Sequence, residues 1–206
     1  MKKIFFEKWS NFEYLKMVSK HIDSIISNRA IINEGNLSGI IIGPDALLDE
    51  LKNKSLYQAY ISNSNLSYAR ISGSMSNSHL TKVDLTRSIL DRCVLFESYI
   101  SECDFSHSKL VVAMNDSTCE DSNFSGAKFS SGSVGLEYGG RRVKFINCNF
   151  TSTVFDKVEF RASKFIDCIF TEAKFKKCDF RGVKFEGGIL PSVMQFENMD
   201  VPKQFI

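Results

Sequence analysis

Phenylalanine occupies every fifth position of this chain from Phe145 to Phe185 without a miss. On an α-helix, which turns about 100° per residue, a spacing of five would scatter these rings around all faces. On a flat strand, side chains alternate between two faces, so an odd spacing would send half of the rings into water. The rings share one core only if the chain turns a corner in every repeat. The pattern therefore predicts a closed coil, or solenoid.

The other positions of the repeat also favour a coil. The residue between each small position and the next Phe is mostly polar or charged, and the pair after each Phe is rich in residue types that occupy turns. The residue two before each Phe is small, and we expect it to face inward, where small and large residues together fill a narrow core. These small positions are Val143, Cys148, Thr153, Val158, Ser163, Cys168, Ala173, Cys178 and Val183.

The five-residue period extends through the first half of the chain with mostly aliphatic residues at the large position. These residues are Leu66, Ile71, Leu80, Leu85, Leu90, Leu95, Ile100, Phe105, Leu110, Phe124 and Phe129. Two steps are one residue short, and we interpret them as corner adjustments at Met75 and Met114. After Val134 the pattern needs eleven residues, not ten, to reach Phe145. The extra length predicts a protruding loop over residues 135–142.

In these repeats the chain resembles the pentapeptide repeat protein family, whose motif is a small residue, a polar one, Leu or Phe, then Ser or Thr, then a variable position. Good matches begin at Ser64, Cys103, Ser122 and Cys178. The resemblance covers roughly residues 56–190. It implies an all-β fold, a right-handed quadrilateral β-helix with four repeats per coil, in which residues twenty apart stack.

The flanking segments are predicted to close the ends of the solenoid, which would otherwise expose unpaired strands. An amphipathic helix over about residues 7–27 follows from apolar residues that recur every three or four positions. We expect residues 1–55 to form an N-terminal helical cap, in which a helical segment runs from Pro44 to about Lys54. The sequence leaves open whether residues 30–44 form a first, partial coil. The apolar tail over residues 191–206 is predicted either to cap the rod or to join two rods as a homodimer.

The search for catalytic chemistry predicts no active site, no cofactor and no metal. The three histidines, His21, His79 and His107, fall in the cap helix and at outward or corner positions of separate coils. Asp and Glu are spread singly over the outside, and a core of Phe and Leu leaves no room for a substrate. Five of the six cysteines occupy the small inward position, without the close pairs that zinc sites use. We therefore expect a protein that is not an enzyme.

Charge and loop composition point to the outer surface as the place where the chain works. Net charge is +2, with −2 over residues 56–134 and +4 over residues 135–190. Lys174, Lys176, Lys177 and Arg181 are too dispersed in this pattern for a phosphate-binding patch, so no direct nucleic-acid binding is expected. The Gly139-Gly140 pair in the 135–142 loop is most simply a turn. The alternative is a partner-binding loop, because Tyr and Arg are favoured interface anchors. Its candidate residues are Glu137, Tyr138, Arg141 and Arg142.

The sequence thus predicts a non-catalytic solenoid that presents a rigid outer surface to a protein partner of unknown identity. The family resemblance offers an alternative, a DNA mimic that protects or inhibits a type II topoisomerase such as gyrase, as in the quinolone-resistance branch. The basic second half departs from the acidic surface of that branch. A toxin-neutralising or effector role is a third hypothesis. With no signal peptide and no membrane span expected, the default location is the cytoplasm.

Overall fold

The structure, a computed structural model, describes residues 3–133 and 137–206. Two helices open the chain, α1 (Lys3–Trp9) and α2 (Phe12–Ile26). The sequence predicted one continuous helix here. The helix breaks because Asn11 caps α2: its side-chain oxygen accepts a hydrogen bond from the Tyr14 N–H at 2.9 Å. Neither helix has the length and hydrophobicity that crossing a membrane requires among the described residues.

Two parallel sheets follow, and each contains eight strands in the described part of the chain. Sheet 1 consists of β1 (Ile31–Asn33), β3 (Tyr60–Ser62), β5 (His79–Thr81), β7 (Tyr99–Ser101), β9 (Thr118–Glu120), β11 (Lys144–Ile146), β13 (Lys164–Ile166) and β15 (Lys184–Glu186). Sheet 2 consists of β2 (Ile41–Ile42), β4 (Arg70–Ser74), β6 (Ile89–Val94), β8 (Lys109–Ala113), β10 (Lys128–Ser130), β12 (Val154–Asp156), β14 (Lys174–Lys176) and β16 (Phe196–Glu197). Short 3-10 helices span Asp49–Leu51, Val193–Gln195 and Lys203–Phe205.

The strands alternate between the sheets, so the chain visits two opposite faces in every turn. Single parallel bridges such as Asn149 to Ile169 and Glu159 to Asp179 form the two faces between them. The fold is therefore the right-handed, four-sided β-helix with an N-terminal helical cap that the sequence analysis predicted, and this prediction is confirmed. Seven steps between eight strands, at about 4.8 Å each, give a rod about 34 Å long.

The pairing register places residues twenty apart on top of each other in the regular second half. In sheet 1 Phe145 pairs with Phe165, and Phe165 pairs with Phe185. Their rings stack at centroid distances of 4.9 and 5.0 Å. All nine rings from Phe145 to Phe185 are buried. Near Leu90 and Phe124 the core leaves a space of only about 10 Å³ between apolar side chains, so it is closely packed.

Most corners lie two residues after a large position, where the backbone takes a left-handed conformation. Asn147 and Asp167 are examples, with φ of 52° and 53°. The corner residues are of many types, among them Asn, Asp, Glu, Lys and Arg, so the coil imposes this conformation whichever residue stands there. The predicted corner adjustments correspond to a bulge at Arg92. Asp91 pairs with Ser72, but Cys93 pairs with Gly73, so Arg92 has no counterpart in β4.

Residues 31–42 supply the first strand of each sheet, which answers the question that the sequence left open. Ile32 pairs with Ile61, and Ile42 pairs with Ile71. Helices α1 and α2 cover this coil, and the Trp9 indole N–H donates to the Ser38 carbonyl at 3.0 Å. The helical segment predicted from Pro44 to Lys54 is reduced to the 3-10 helix at Asp49–Leu51.

The C-terminal tail packs on the last coil. Phe196 stacks on Phe175 at 4.8 Å as the last rung of sheet 2. The Gln204 side chain takes the place of a further strand in sheet 1: its Nε2 donates to the Phe185 carbonyl at 2.9 Å, and its Oε1 accepts from the Phe185 N–H at 3.0 Å. Phe205 contacts the rings of Phe185 and Phe196. This tail therefore covers the end of the hydrophobic core.

Candidate protein-binding surface

The predicted partner-binding loop is only partly described, because Gly135 and Leu136 lie outside the described residues. Glu137 is exposed, and Tyr138 is half-buried. The Tyr138 carbonyl already accepts a hydrogen bond from the Glu159 N–H at 2.8 Å. Gly139 then forms parallel bridges to Ala113 and Glu159. Arg141 and Arg142 follow this bridge, so they extend from the coil itself, whereas the sequence placed them in the loop.

Glycine is required where the chain rejoins the coil. Gly139 has a φ of 114°, and a Cβ there would collide with the backbone carbonyl of Glu159. Gly140 occupies the inward position that Phe160 and Phe180 fill in the next two coils. A Cβ on Gly140 would lie 2.6 Å from Cγ2 of Val143. The Gly139-Gly140 pair therefore marks a close approach of two backbones.

Arg141 begins a chain of ion pairs along the face between the two sheets. We call this cluster the arginine ladder, and it consists of Arg141, Glu159, Arg161, Asp179 and Arg181. Arg141 pairs with Glu159. Arg161 contacts Glu159 at 3.3 Å and Asp179 at 2.6 Å, and Arg181 contacts Asp179 at 2.6 Å. Each carboxylate thus lies between two guanidinium groups.

The two carboxylates of the arginine ladder are more buried than its arginines. The Glu159 and Asp179 side chains are 11% and 12% exposed, against 71% for Arg181. Hydrogen bonds from Arg181, and then from Arg161, hold the pKa of the Asp179 carboxyl well below its usual range. The same contact raises the pKa of Arg181. Asp179 is therefore ionised and engaged at neutral pH.

Arg142 is also paired, although with a different coil. Its Nε and Nη2 donate to the two carboxylate oxygens of Asp116 at 2.6 and 2.7 Å. This hydrogen bonding lowers the pKa of the Asp116 carboxyl. A two-pronged contact of this kind is geometrically specific, and it neutralises Arg142. Of the predicted loop residues, Arg141 and Arg142 therefore have partners within the solenoid.

On sheet 1, the face next to the arginine ladder, three stacked lysines have no carboxylate in the described part of the chain that neutralises their charge. We call Lys144, Lys164 and Lys184 the lysine column. They are exposed and directly opposite one another in register. Within the described residues none of them forms an ion pair, whereas Lys128 and Lys176 on sheet 2 pair with Asp156 and Glu197. Like charges directly opposite each other in a sheet are destabilising.

The lysine column and the arginine ladder together form one surface, which we call the basic edge. It carries six cations and two carboxylates, a net charge of +4 within three coils. On the far side of the lysine column, Ile146 and Ile166 are half-exposed, and Glu186 continues their line in the last coil. The basic edge is therefore a charged strip beside a short aliphatic one.

Sequence reasoning missed this surface because it looked for neighbours along the chain. It weighed Lys174, Lys176, Lys177 and Arg181 together, but Lys174 and Lys176 belong to sheet 2 and Arg181 to the arginine ladder. The relevant signal is a spacing of twenty. Lysine recurs at 144, 164 and 184, and arginine recurs at 141, 161 and 181.

Other chemically notable residues are built into the fold. All six cysteines are buried and free of disulfide bonds, and burial raises the pKa of the Cys148 thiol well above its ordinary value. On sheet 1 the His79 ring stacks on Tyr60 at 4.8 Å and lies 6.2 Å from Tyr99. In the part of the chain that the structure describes, no three His, Cys, Asp or Glu side chains cluster as metal ligands would.

Comparisons with known proteins agree with this architecture. A model of the pentapeptide repeat region matches residues 141–202, and a model of eight pentapeptide repeats matches residues 74–110. No curated protein is significantly similar to the chain. One similar solved structure is trypsin-treated QnrB1, a plasmid-mediated fluoroquinolone resistance protein; it is 14% identical, with a TM-score of 0.48, over 85% of this chain and 92% of that chain.

Two cyanobacterial proteins are further solved structures of this kind. Rfr23 from Cyanothece 51142 is 14% identical over 83% of this chain and 99% of that chain, with a TM-score of 0.28. HetL from Nostoc, which is involved in the regulation of heterocyst differentiation, is 11% identical over 79% of this chain and 85% of that chain, with a TM-score of 0.25. Two matching family models and a coil of four five-residue edges identify this chain as a member of the pentapeptide repeat family.

Proposed function

We propose that this protein is a non-catalytic binding protein that presents a rigid outer surface to a protein partner. The lysine column is the observation that carries the proposal. Lys144, Lys164 and Lys184 repel one another in register and lack carboxylate partners in the described chain. An arrangement that costs stability is understandable if a partner supplies the missing negative charge.

The interior supports a role without catalysis. Its large positions are filled by buried rings and aliphatic side chains. The most strongly perturbed carboxyl, Asp179, is held by two arginines and so has little freedom to act as an acid or a base. His21 lies on the buried side of α2, where burial and Lys20 lower its pKa, while His79 lies on the outside of sheet 1.

The DNA-mimic alternative receives less support from the surface. A mimic of DNA must present acidic side chains along the rod, and the basic edge presents a net positive charge in the C-terminal coils. The decisive assay is gyrase supercoiling with this protein in excess. If the protein in excess neither protects gyrase nor inhibits it, the DNA-mimic hypothesis is wrong. A toxin-neutralising or effector role would also work through surface binding, and no feature of the surface favours it specifically.

The C-terminal end suggests a second copy of the chain as an additional partner. Ile189, Leu190, Val193 and Met194 are exposed there, and Met194 is 88% exposed. We propose that residues 191–206 both cover the last coil and support an end-to-end homodimer. Sedimentation at increasing concentration should show a dimer that Met194→Glu dissociates. A wild-type chain that stays monomeric at high concentration would contradict this proposal.

The main proposal is tested by photo-crosslinking in cells of the source species. A photo-reactive residue at Ile166, beside the lysine column, should capture a discrete protein partner. The matched control is Val111, which is also half-exposed and follows the large residue of its repeat, but lies on sheet 2. Adducts from Ile166 and not from Val111 support the proposal. If neither of these positions, nor any other exposed position tried, captures a protein, the proposal is wrong.

A further inference from the structure

The spacing of the lysine column matches one kind of protein segment better than another. The three lysines repeat at the coil distance of about 4.8 Å, so the column spans about 10 Å. An α-helix rises 5.4 Å per turn, so carboxylates one turn apart would drift from the lysines by only about 1 Å over two turns. Same-side residues of an extended strand lie about 6.7 Å apart and would drift by about 4 Å over two steps. The column therefore favours a helix that lies along the solenoid axis.

The side chains next to the lysine column indicate which other residues a bound helix would need beside its carboxylates. Ile146 and Ile166 are half-exposed on the same strands as Lys144 and Lys164. They would pack against apolar residues beside the acidic ones. On the other side of the column, the arginine ladder adds one net positive charge, because its three arginines exceed its two carboxylates. A partner helix that fits has an acidic face bordered by an apolar stripe.

A nucleic acid fits the same surface less well. A duplex-binding protein commonly engages six to ten phosphates, and a column of about 10 Å reaches only a few. The whole chain has a pI of about 8.2 and a net charge of +2, below the strongly basic character of nucleic-acid-binding domains. The aliphatic side chains beside the lysines are apolar, so a phosphate backbone would give them no favourable contact. These features favour a protein segment over a nucleic acid as the ligand of the basic edge.

On the basis of the proposed function, we propose that the basic edge binds the acidic face of an amphipathic helix from the partner protein. The three lysines pair with carboxylates spaced one helical turn apart, and Ile146 and Ile166 contact the adjoining apolar residues. Binding thereby relieves the repulsion within the lysine column. The arginine ladder stays internally paired and holds this corner of the solenoid rigid.

The test uses the full chain and a labelled peptide of about 18 residues, long enough to be helical alone. Its Glu residues occupy one helical face and its Leu residues the neighbouring stripe. The wild-type chain should bind this peptide about tenfold more tightly than a scrambled peptide of equal composition. The triple variant Lys144→Gln, Lys164→Gln, Lys184→Gln should weaken binding about tenfold. The control variant Lys109→Gln, Lys128→Gln, Lys174→Gln removes equal charge from sheet 2 and should change binding less than about twofold.

Each contrary result identifies which step is wrong. No binding of the peptide, equal binding of the scrambled peptide, or equal weakening by both triple variants would overturn the proposal. Tighter binding of a short DNA duplex that depends on the lysine column would replace the helix with a nucleic acid. Crosslinks through Ile166 in cells, combined with no peptide binding, would leave the proposed function standing and refute this inference alone. Circular dichroism on both triple variants checks that they remain folded.

Discussion

At the scale of single residues, the core is held by columns of rings whose spacing suits the coil. Parallel rings in sheet 1 and sheet 2 lie 4.8 to 5.1 Å apart. This distance falls within the range that offset-stacked aromatic pairs prefer. The ring of Phe165 lies between those of Phe145 and Phe185, and Phe150 and Phe170 meet it edge-on. Phe165 should therefore be among the most stabilising residues of the chain.

Replacing Phe165 with Ala should lower the free energy of unfolding by about 3 to 5 kcal/mol, because it removes a buried ring and leaves a cavity. Urea denaturation measures the change. The matched control is Lys174→Ala, an outward position on sheet 2 that lies opposite Val154 and not opposite another lysine, where the effect should stay within about 0.5 kcal/mol. A loss below about 1 kcal/mol for Phe165→Ala would show that the ring does not support the fold as described.

Asp179 predicts a pH dependence at the same scale. Its two arginine partners depress the pKa of the carboxyl in the folded chain below the value of about 3.9 in the unfolded chain. The ionised carboxylate therefore stabilises the fold above about pH 4, and this contribution is lost as the pH falls towards the folded pKa. Asp179→Asn should be less stable than the wild type at pH 6, and the difference should shrink at pH 3. A difference that does not change with pH would contradict the assigned ion pairs.

At the scale of elements, the repeats were predictable and the ends were less so. The period of five follows from a local requirement, one inward side chain per edge, and each repeat carries it independently. The helix break was also recoverable, because Asn11 has the residue type and position of a helix cap. The first coil could not be recognised from the sequence, because residues 43–55 separate it from the next coil. Ile32 therefore pairs with Ile61, twenty-nine positions later.

The C-terminal cap depends on a contact that no local pattern reveals. Gln204 reaches the Phe185 backbone only because the tail folds back over the last coil. Gln204→Ala should lower stability by about 1 to 3 kcal/mol through the loss of two hydrogen bonds. Amide hydrogen exchange should accelerate at Phe185 and remain unchanged at Phe165, whose coil is covered by the next one. Unaltered exchange at Phe185 would show that the tail does not close sheet 1.

At the scale of the whole molecule, the solenoid brings residues that are far apart along the chain next to each other on one face. Where the coils are regular, residues twenty apart meet, as Lys144 meets Lys164. Between β9 and β11 the step is twenty-six residues, since Cys119 pairs with Phe145. The composition of a face can therefore be read from a fixed period only inside uninterrupted stretches. The basic edge lies inside one such stretch, and the sequence analysis missed it because it compared lysines and arginines along the chain and not at a spacing of twenty.

The account depends most on the claim that the lysine column is uncompensated and kept for a partner. Its most direct test is the free energy of unfolding of Lys164→Glu at low salt, compared with the wild type. The substitution turns two like-charge contacts into two opposite-charge ones, so the chain should become more stable by about 0.5 to 2 kcal/mol, and the gain should fade at high salt. Lys174→Glu, which lies opposite Val154, should show almost no gain. A Lys164→Glu chain that is no more stable than the wild type would contradict the claim.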